Sequence, residues 1–165
     1  MLAIIPAKKK SKRLPNKNIK LFSKEPLIAY TIKSALKSKH ISRIIVSTDS
    51  IKIAKIAIKY GAEVPFLRSK NLSGDKTTTW EVCRNVIDKL KTIESKTYDS
   101  FVYLQPTSPL RSPQDIDNAI KVFKNKKANA VVSVNETKPS FWFKNISSKG
   151  VLIRSNRNNK KNYIL

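Results

Sequence analysis

The chain has 165 residues, 40% of them hydrophobic and 27% charged, a balance that favours one folded globular domain over disorder. No apolar run approaches the roughly 20 residues of a membrane span, and the N-terminal charges follow the first apolar stretch, which is the reverse of a signal peptide. The single cysteine, Cys83, excludes an internal disulfide framework and fits a reducing cytoplasm, and one histidine beside it leaves no ligand set for structural zinc.

The net charge of +23 has two readings. One is a nucleic-acid or other polyanion-binding surface. The other is a compositional excess of lysine with one local phosphate site. Seven of the 34 basic residues are arginine and 27 are lysine. The lysines are spread over every segment, including Lys52, Lys55 and Lys59 on one predicted helix. A nucleic-acid groove concentrates arginine and aromatic residues on one element, so the second reading is preferred and nucleic acid is the disfavoured partner.

In chain order, residues 2–6 read as a buried strand. Pro26 to Ser38 reads as a helix with Leu27, Ile28, Thr31, Ile32, Ala35 and Leu36 on one face and Pro26 in its first turn. Arg43 to Ser47 is a second strand, followed by Thr48-Asp49-Ser50 as a turn and helix start. Ile51 to Tyr60 is a helix closed by Gly61, and Glu63 to Leu67 a short third strand. Ser69 to Thr79 is a polar loop, after which a helix capped by Thr79 or a neighbour runs to about Leu90. Tyr98 to Gln105 is a strand broken by Pro106 and Pro109. A helix starts at Ser112-Pro113 and reaches about Phe123, and Ala128 to Val134 is a fifth strand. Strands and helices alternating at this spacing predict a three-layer α/β/α fold with a mostly parallel, Rossmann-like sheet, its central strands at 2–6, 43–48 and 100–105. Beyond Asn135 the pattern fades into the aromatic run Phe141-Trp142-Phe143 and a polar, basic stretch.

The segment after the first strand carries the chemistry. Lys8, Lys9, Lys10, Lys12, Arg13 and Lys17 crowd into ten positions with Ser11, Asn16 and Asn18 nearby. A strand-to-loop junction at the carboxyl end of an α/β strand is where phosphates are commonly held, and six cations can neutralise a triphosphate.

Ile5-Pro6-Ala7, Ser11-Lys12, Pro15 and Lys17-Asn18 together resemble the nucleotide loop of the acylneuraminate cytidylyltransferases, which include the CMP-sialic acid synthetases and their pseudaminic and legionaminic relatives. Ile45-Val46-Ser47-Thr48-Asp49 is similar to a second motif of that family. Tyr60-Gly61-Ala62-Glu63-Val64 with Phe66-Leu67-Arg68, then Leu72-Ser73 and Asp75, is similar to a third. Leu104-Gln105-Pro106-Thr107-Ser108-Pro109-Leu110-Arg111 is similar to the fourth and most specific. The four occur in the family's order.

The resemblance implies transfer of CMP from CTP to a sialic-acid-like 2-keto-3-deoxy sugar acid with release of pyrophosphate. CTP and a nine-carbon sugar acid would be the ligands and a second copy of the chain the partner. It assigns catalytic positions to Lys8 and Lys17, facing the triphosphate. Ser11, Lys12, Asn18, Arg68 and Thr79 would bind the nucleotide, and Gln105, Ser108 and Arg111 the sugar side. It implies Mg²⁺, whose usual ligands in the family, a late aspartate pair, do not occur in this chain. Asp115 and Asp117 fall at a predicted helix start and are not offered as that site.

Some residues keep two readings. Asp49 is either a cap on the following helix or a metal ligand, and Arg68 and Arg111 are either ligand contacts or rim ion-pair partners. Trp80 and the 141–143 cluster read as packing. Lys8 stands where the family usually has arginine, losing a planar bidentate phosphate clamp, and Lys9 and Lys10 replace small residues. The expected organisation is a nucleotide-binding core over 1–134 and the start of a dimerisation or sugar-binding arm over 135–165. With the family's late carboxylates absent, the expectation is a chain that binds nucleotide better than it turns it over. The alternative is a non-catalytic nucleotide- or polyanion-binding remnant.

Overall fold

The N-terminal apolar run forms β1 (Leu2–Pro6), in which Leu2, Ala3, Ile4 and Ile5 are all completely buried. A strand covered on both faces belongs in the middle of a parallel sheet, where apolar residues run on without alternation. In this computed structural model β1 pairs in parallel with β4 (Arg43–Ser47) on one side and β5 (Phe101–Tyr103) on the other, and Ile4 lies opposite both Ile45 and Tyr103. The structure describes residues 1–11 and 14–134, and the backbone of 145–146 and 152–153. It divides into two units, Met1–Gln114 and Asp115–Leu165.

In the first unit the pleat sends alternate residues of β1 to opposite faces. Leu2 and Ile4, with Ile45, pack against Cys83, Val86 and Leu90 of α3 (Thr79–Glu94). Burial pushes the Cys83 thiol up to about 12, so it serves as a small apolar side chain. Ala3, Ile5, Ile44 and Val46 are equally buried toward the other face, where α1 (Leu27–Leu36) contacts β1 and β4 and α2 (Ile51–Lys59) contacts α1. Helices thus cover both faces, and the three-layer parallel architecture expected from the sequence is present. Gly61, closing α2, has φ +94, a torsion a side chain rarely adopts.

The third strand expected over 63–67 is a single parallel bridge. Glu63 accepts from the Val46 N–H at 2.9 Å and donates to the Ile44 carbonyl at 2.8 Å. Pairing stops there because Pro65 has no N–H to continue the ladder. A two-residue antiparallel ribbon of β2 (Leu21–Phe22) and β3 (Glu25–Pro26) precedes α1. It escapes sequence reading because its turn has no glycine or asparagine, and Ser23 supplies the positive φ of 55 instead.

The second unit opens within α4 (Pro113–Asn125), which buries Ile116 and Ile120. Ala128–Val134 forms no ladder, contrary to the fifth strand expected there, and Val132 and Val134 are half exposed. A β-branched run becomes a strand only with a neighbour to pair with, and none pairs with it among the described residues. The backbone of β6 (Asn145–Ile146) and β7 (Leu152–Ile153) makes an antiparallel ribbon. The remainder of the 135–165 arm, including Phe141–Phe143, lies outside the described residues. No helix among the described residues is long and apolar enough to cross a membrane.

Candidate nucleotide site at the carboxyl edge of the sheet

The carboxyl ends of β1, β4 and β5 come out side by side, and each continues into a polar segment: Ala7-Lys8-Lys9, Thr48-Asp49-Ser50 and Leu104-Gln105. In open α/β sheets this edge is where ligands sit.

The loop after β1 is held by three ties from distant parts of the chain. The Ala7 N–H donates to the Ser47 carbonyl at 2.9 Å, extending the β1–β4 pairing by one residue. The buried Asn18, inside a short 3-10 turn at Lys17–Ile19, donates its amide to the Lys8 carbonyl at 3.1 Å. The Lys9 N–H donates to the Asp49 carboxylate at 2.7 Å. Asp49 is therefore not the cap of α2. The cap is Ser50, whose hydroxyl accepts from the Ile53 N–H at 3.4 Å. The Lys8 ammonium pairs with Asp75 at 2.8 Å, and its side chain remains one-third exposed.

Arg68 lies behind this loop. It is 5% exposed, its N–H donates to the Thr48 carbonyl at 2.7 Å, and its guanidinium Nε–H donates to the Ser73 hydroxyl at 3.2 Å. Burial lowers its pKa from the usual arginine value, and the nearby Asp49 carboxylate offsets part of that. The rim ion-pair reading of Arg68 does not hold, because the residue is interior.

Segment 75–79 closes one side. The α3 helix begins with a capping box in which the Thr78 hydroxyl accepts from the Glu81 N–H at 3.2 Å and the Glu81 carboxylate accepts from the Thr78 N–H at 2.6 Å. Donation from the Thr78 N–H, and from the Thr78 hydroxyl at 2.8 Å, holds the Glu81 carboxyl below its usual range. Thr78, not Thr79, is the cap. Thr79 is exposed, and its hydroxyl lies 3.4 Å from the Tyr103 hydroxyl at the end of β5.

On the far side, Gln105 to Arg111 makes a turn stitched by N–H donation from Ser108 to the Gln105 carbonyl and from Arg111 to the Ser108 carbonyl, both at 3.3 Å. The side chains of Gln105 and Ser108 are exposed, whereas Arg111 is half-buried and folds back to donate to the Gln105 carbonyl at 3.4 Å.

Of the residues singled out from the sequence, Lys8 and Asn18 meet directly, Arg68 bonds to the Thr48 carbonyl next to Asp49, and Gln105, Ser108 and Arg111 share one turn. Ser11 and Lys17 are half-buried in the β1 loop and the 3-10 turn after it. Lys12 lies outside the described residues. Sequence reading left the ties of Asp49 and Asp75 unassigned, since they join residues 40 and 67 positions apart and no local signal marks such pairs.

Among the described residues no three His, Cys, Asp or Glu side chains gather to hold a metal ion. The two carboxylates at this edge, Asp49 and Asp75, already serve a backbone N–H and an ammonium group. The described residues therefore do not fit a protein-held Mg²⁺.

Residues 2–162 match the family model described as Cytidylyltransferase. The chain is 46% identical over 158 residues to the CMP-N,N'-diacetyllegionaminic acid synthase of Legionella pneumophila, a match covering 93% of this chain and 66% of that protein. It is 37% identical over 135 residues to the pseudaminic acid cytidylyltransferase of Campylobacter jejuni serotype O:2, covering 82% of this chain and 58% of that protein. The chain thus spans two thirds or less of the length of these curated relatives. In structure it is similar to a CMP:2-keto-3-deoxy-manno-octonic acid synthetase solved with CTP, with a TM-score of 0.62 at 20% identity over 77% of this chain and 48% of that one. At that identity the likeness bears on the fold alone.

Proposed function

Because this chain belongs to the cytidylyltransferase family, we propose that it transfers CMP from CTP to a sialic-acid-like 2-keto-3-deoxy sugar acid, with N,N'-diacetyllegionaminic acid the first acceptor to test. The observation that carries this reading is the loop after β1. Its backbone is pinned by Asn18 and Asp49, and its cations stand at the carboxyl edge of the sheet, next to the exposed Gln105–Ser108 turn.

In the proposed reaction the acceptor's anomeric hydroxyl oxygen bonds to the α-phosphorus of CTP. The bond from that phosphorus to the bridging oxygen of pyrophosphate breaks, and the hydroxyl proton leaves to water or a basic oxygen. Negative charge grows on the departing pyrophosphate, so fixed positive charge lowers the barrier. Lys17 and Lys8 supply that charge, with Lys8 exchanging Asp75 for a phosphate oxygen as the nucleotide enters. Ser11 and Lys12 add donors to the phosphates. Asn18 fixes the path of the loop through the Lys8 carbonyl, Arg68 binds from the neighbouring segment, bonded to Thr48 and Ser73, and Thr79 sits at the nucleoside side. Gln105, Ser108 and Arg111 face the acceptor. The charge stabilisation proposed for this chain's own residues comes from these lysines, and the Mg²⁺ that the family resemblance implies would add to it when bound with the triphosphate. A second copy of the chain is the proposed partner.

The test is pyrophosphate release and CMP-sugar formation by the full chain with CTP and a panel of nine-carbon 2-keto-3-deoxy acids. CTP-dependent formation of a CMP-sugar supports the proposal. CTP binding without product on any acid would replace it with the nucleotide-binding remnant. Retention on nucleic acid that CTP does not compete would replace it with the polyanion reading.

A further inference from the structure

The turn at Gln105–Arg111 is gripped from α1 by two hydroxyls. Thr31, 1% exposed, donates its hydroxyl to the Gln105 carbonyl at 3.3 Å. Ser34, three residues on and so on the same helix face, donates to the Arg111 carbonyl at 2.7 Å. The two contacts take the first and last carbonyls of the turn. Between them the turn's own bonds connect Gln105, Ser108 and Arg111. The backbone of the turn is thus bonded inward, and the side chains of Gln105 and Ser108 are exposed just beyond the carboxyl end of β5.

We infer that Thr31 and Ser34 are positioning residues that set the register of the 105–111 turn against α1 and so aim Gln105 and Ser108 at the acceptor sugar acid, an inference that rests on the function proposed above. Inside a helix a serine or threonine gains nothing in propensity over alanine, and the buried Thr31 hydroxyl requires a partner. A hydroxyl-to-carbonyl bond fixes distance and direction as apolar packing does not. Losing it lets the turn shift by fractions of an ångström, which is enough to misplace a substrate.

The experiment compares Ser34→Ala, the double variant Thr31→Val with Ser34→Ala, and Ser34→Thr with wild type. KM for the sugar acid and KM for CTP are measured separately, alongside the melting temperature. Each lost bond is expected to raise the sugar-acid KM about three- to tenfold while leaving the CTP KM within about twofold, and Ser34→Thr, which keeps a hydroxyl, is expected to restore it. Hydrogen exchange supplies a readout independent of activity: the Ser108 and Arg111 amides are expected to exchange about tenfold faster in Ser34→Ala, with those of β1 and β4 unchanged. An unaltered sugar-acid KM in an active variant overturns the inference, as does an equal rise in both KM values with a lowered melting temperature. A wild-type chain that makes no CMP-sugar defeats the proposed function instead. In that case unchanged exchange at Ser108 and Arg111 in Ser34→Ala defeats the positioning role as well.

Discussion

The two edges of the central sheet use charge in opposite ways. At the amino edge the arginine that opens β4 is matched by carboxylates. Arg43, opening β4, donates to Glu63 at 2.7 Å, to Glu94 at 2.7 Å and to the Tyr98 hydroxyl at 3.2 Å. The N-terminal ammonium donates to the His40 carbonyl at 2.6 Å. At the carboxyl edge the loop after β1 concentrates six basic residues in ten positions, and the carboxylates bonded to it, Asp49 and Asp75, hold one backbone N–H and one ammonium. The Arg43 side chain is 14% exposed and that of Lys8 33%. A guanidinium matched by two carboxylates adds stability and leaves little charge to draw anions, whereas a dense run of lysines at a strand's carboxyl end draws them. The contrast separates the part of the chain that holds the fold from the part proposed to do chemistry.

The strongest way to break that contrast is Lys17→Ala. If the surplus charge forms a site, the change weakens CTP binding about 10- to 100-fold, the worth of one charge-assisted hydrogen bond to phosphate. Lys55→Ala, on the exposed face of α2, leaves affinity nearly unchanged. Calorimetric titration of both variants decides the matter, since equal losses would mean that the overall +23 charge does the binding.

Arg43→Ala probes the opposite edge. It leaves Glu63 and Glu94 without their guanidinium, and because both carboxylates are partly exposed the expected cost is modest, about 1–2 kcal/mol, or several degrees in Tm. CTP affinity should not move. Thermal melts and titration on the same preparation check this, and a large loss of CTP binding would show that the edges are coupled.

The same cluster predicts an acid response. Hydrogen bonding to Arg43 first, then its charge and that of Lys96, hold the Glu94 carboxyl below its ordinary value of 4.5 in the folded chain. The unfolded chain therefore binds the proton more readily. The stabilisation is complete above the ordinary carboxylate value and is lost as pH falls below about 4.5 toward the depressed folded value. Tm followed from about pH 6 to about pH 3 should drop less steeply in Glu94→Gln than in wild type. Some slope should remain, because Glu81 is held below its usual range as well. Identical curves would show that Glu94 carries no linkage.

The smallest expected effect sharpens the carboxyl edge. Asp75→Asn releases the Lys8 ammonium from an exposed ion pair and should tighten CTP binding by about two- to fivefold while changing Tm by about a degree or less. Weaker CTP binding would mean that Asp75 orients Lys8 for phosphate instead of competing with it.

Local chemistry determined much of this protein from the sequence alone. The apolar run at Leu2–Ile5, the helical periods of α1 to α4, the glycine after α2 and the density of donors between Lys8 and Asn18 each depend on residues close together in the chain, so periodicity, turn chemistry and motif spacing expose them. Tertiary structure decided what depends on partners. Glu63–Leu67 became a single bridge because Pro65 cannot donate, and Ala128–Val134 has no pairing partner among the described residues, since a strand is a property of two segments. Asp49 went to the Lys9 N–H, Asp75 to Lys8, and Thr31 and Ser34 to a turn more than 70 residues away. A hydrogen bond is set by distance and direction in space, and across such separations only the packing of β1 between β4 and β5 brings donor and acceptor together.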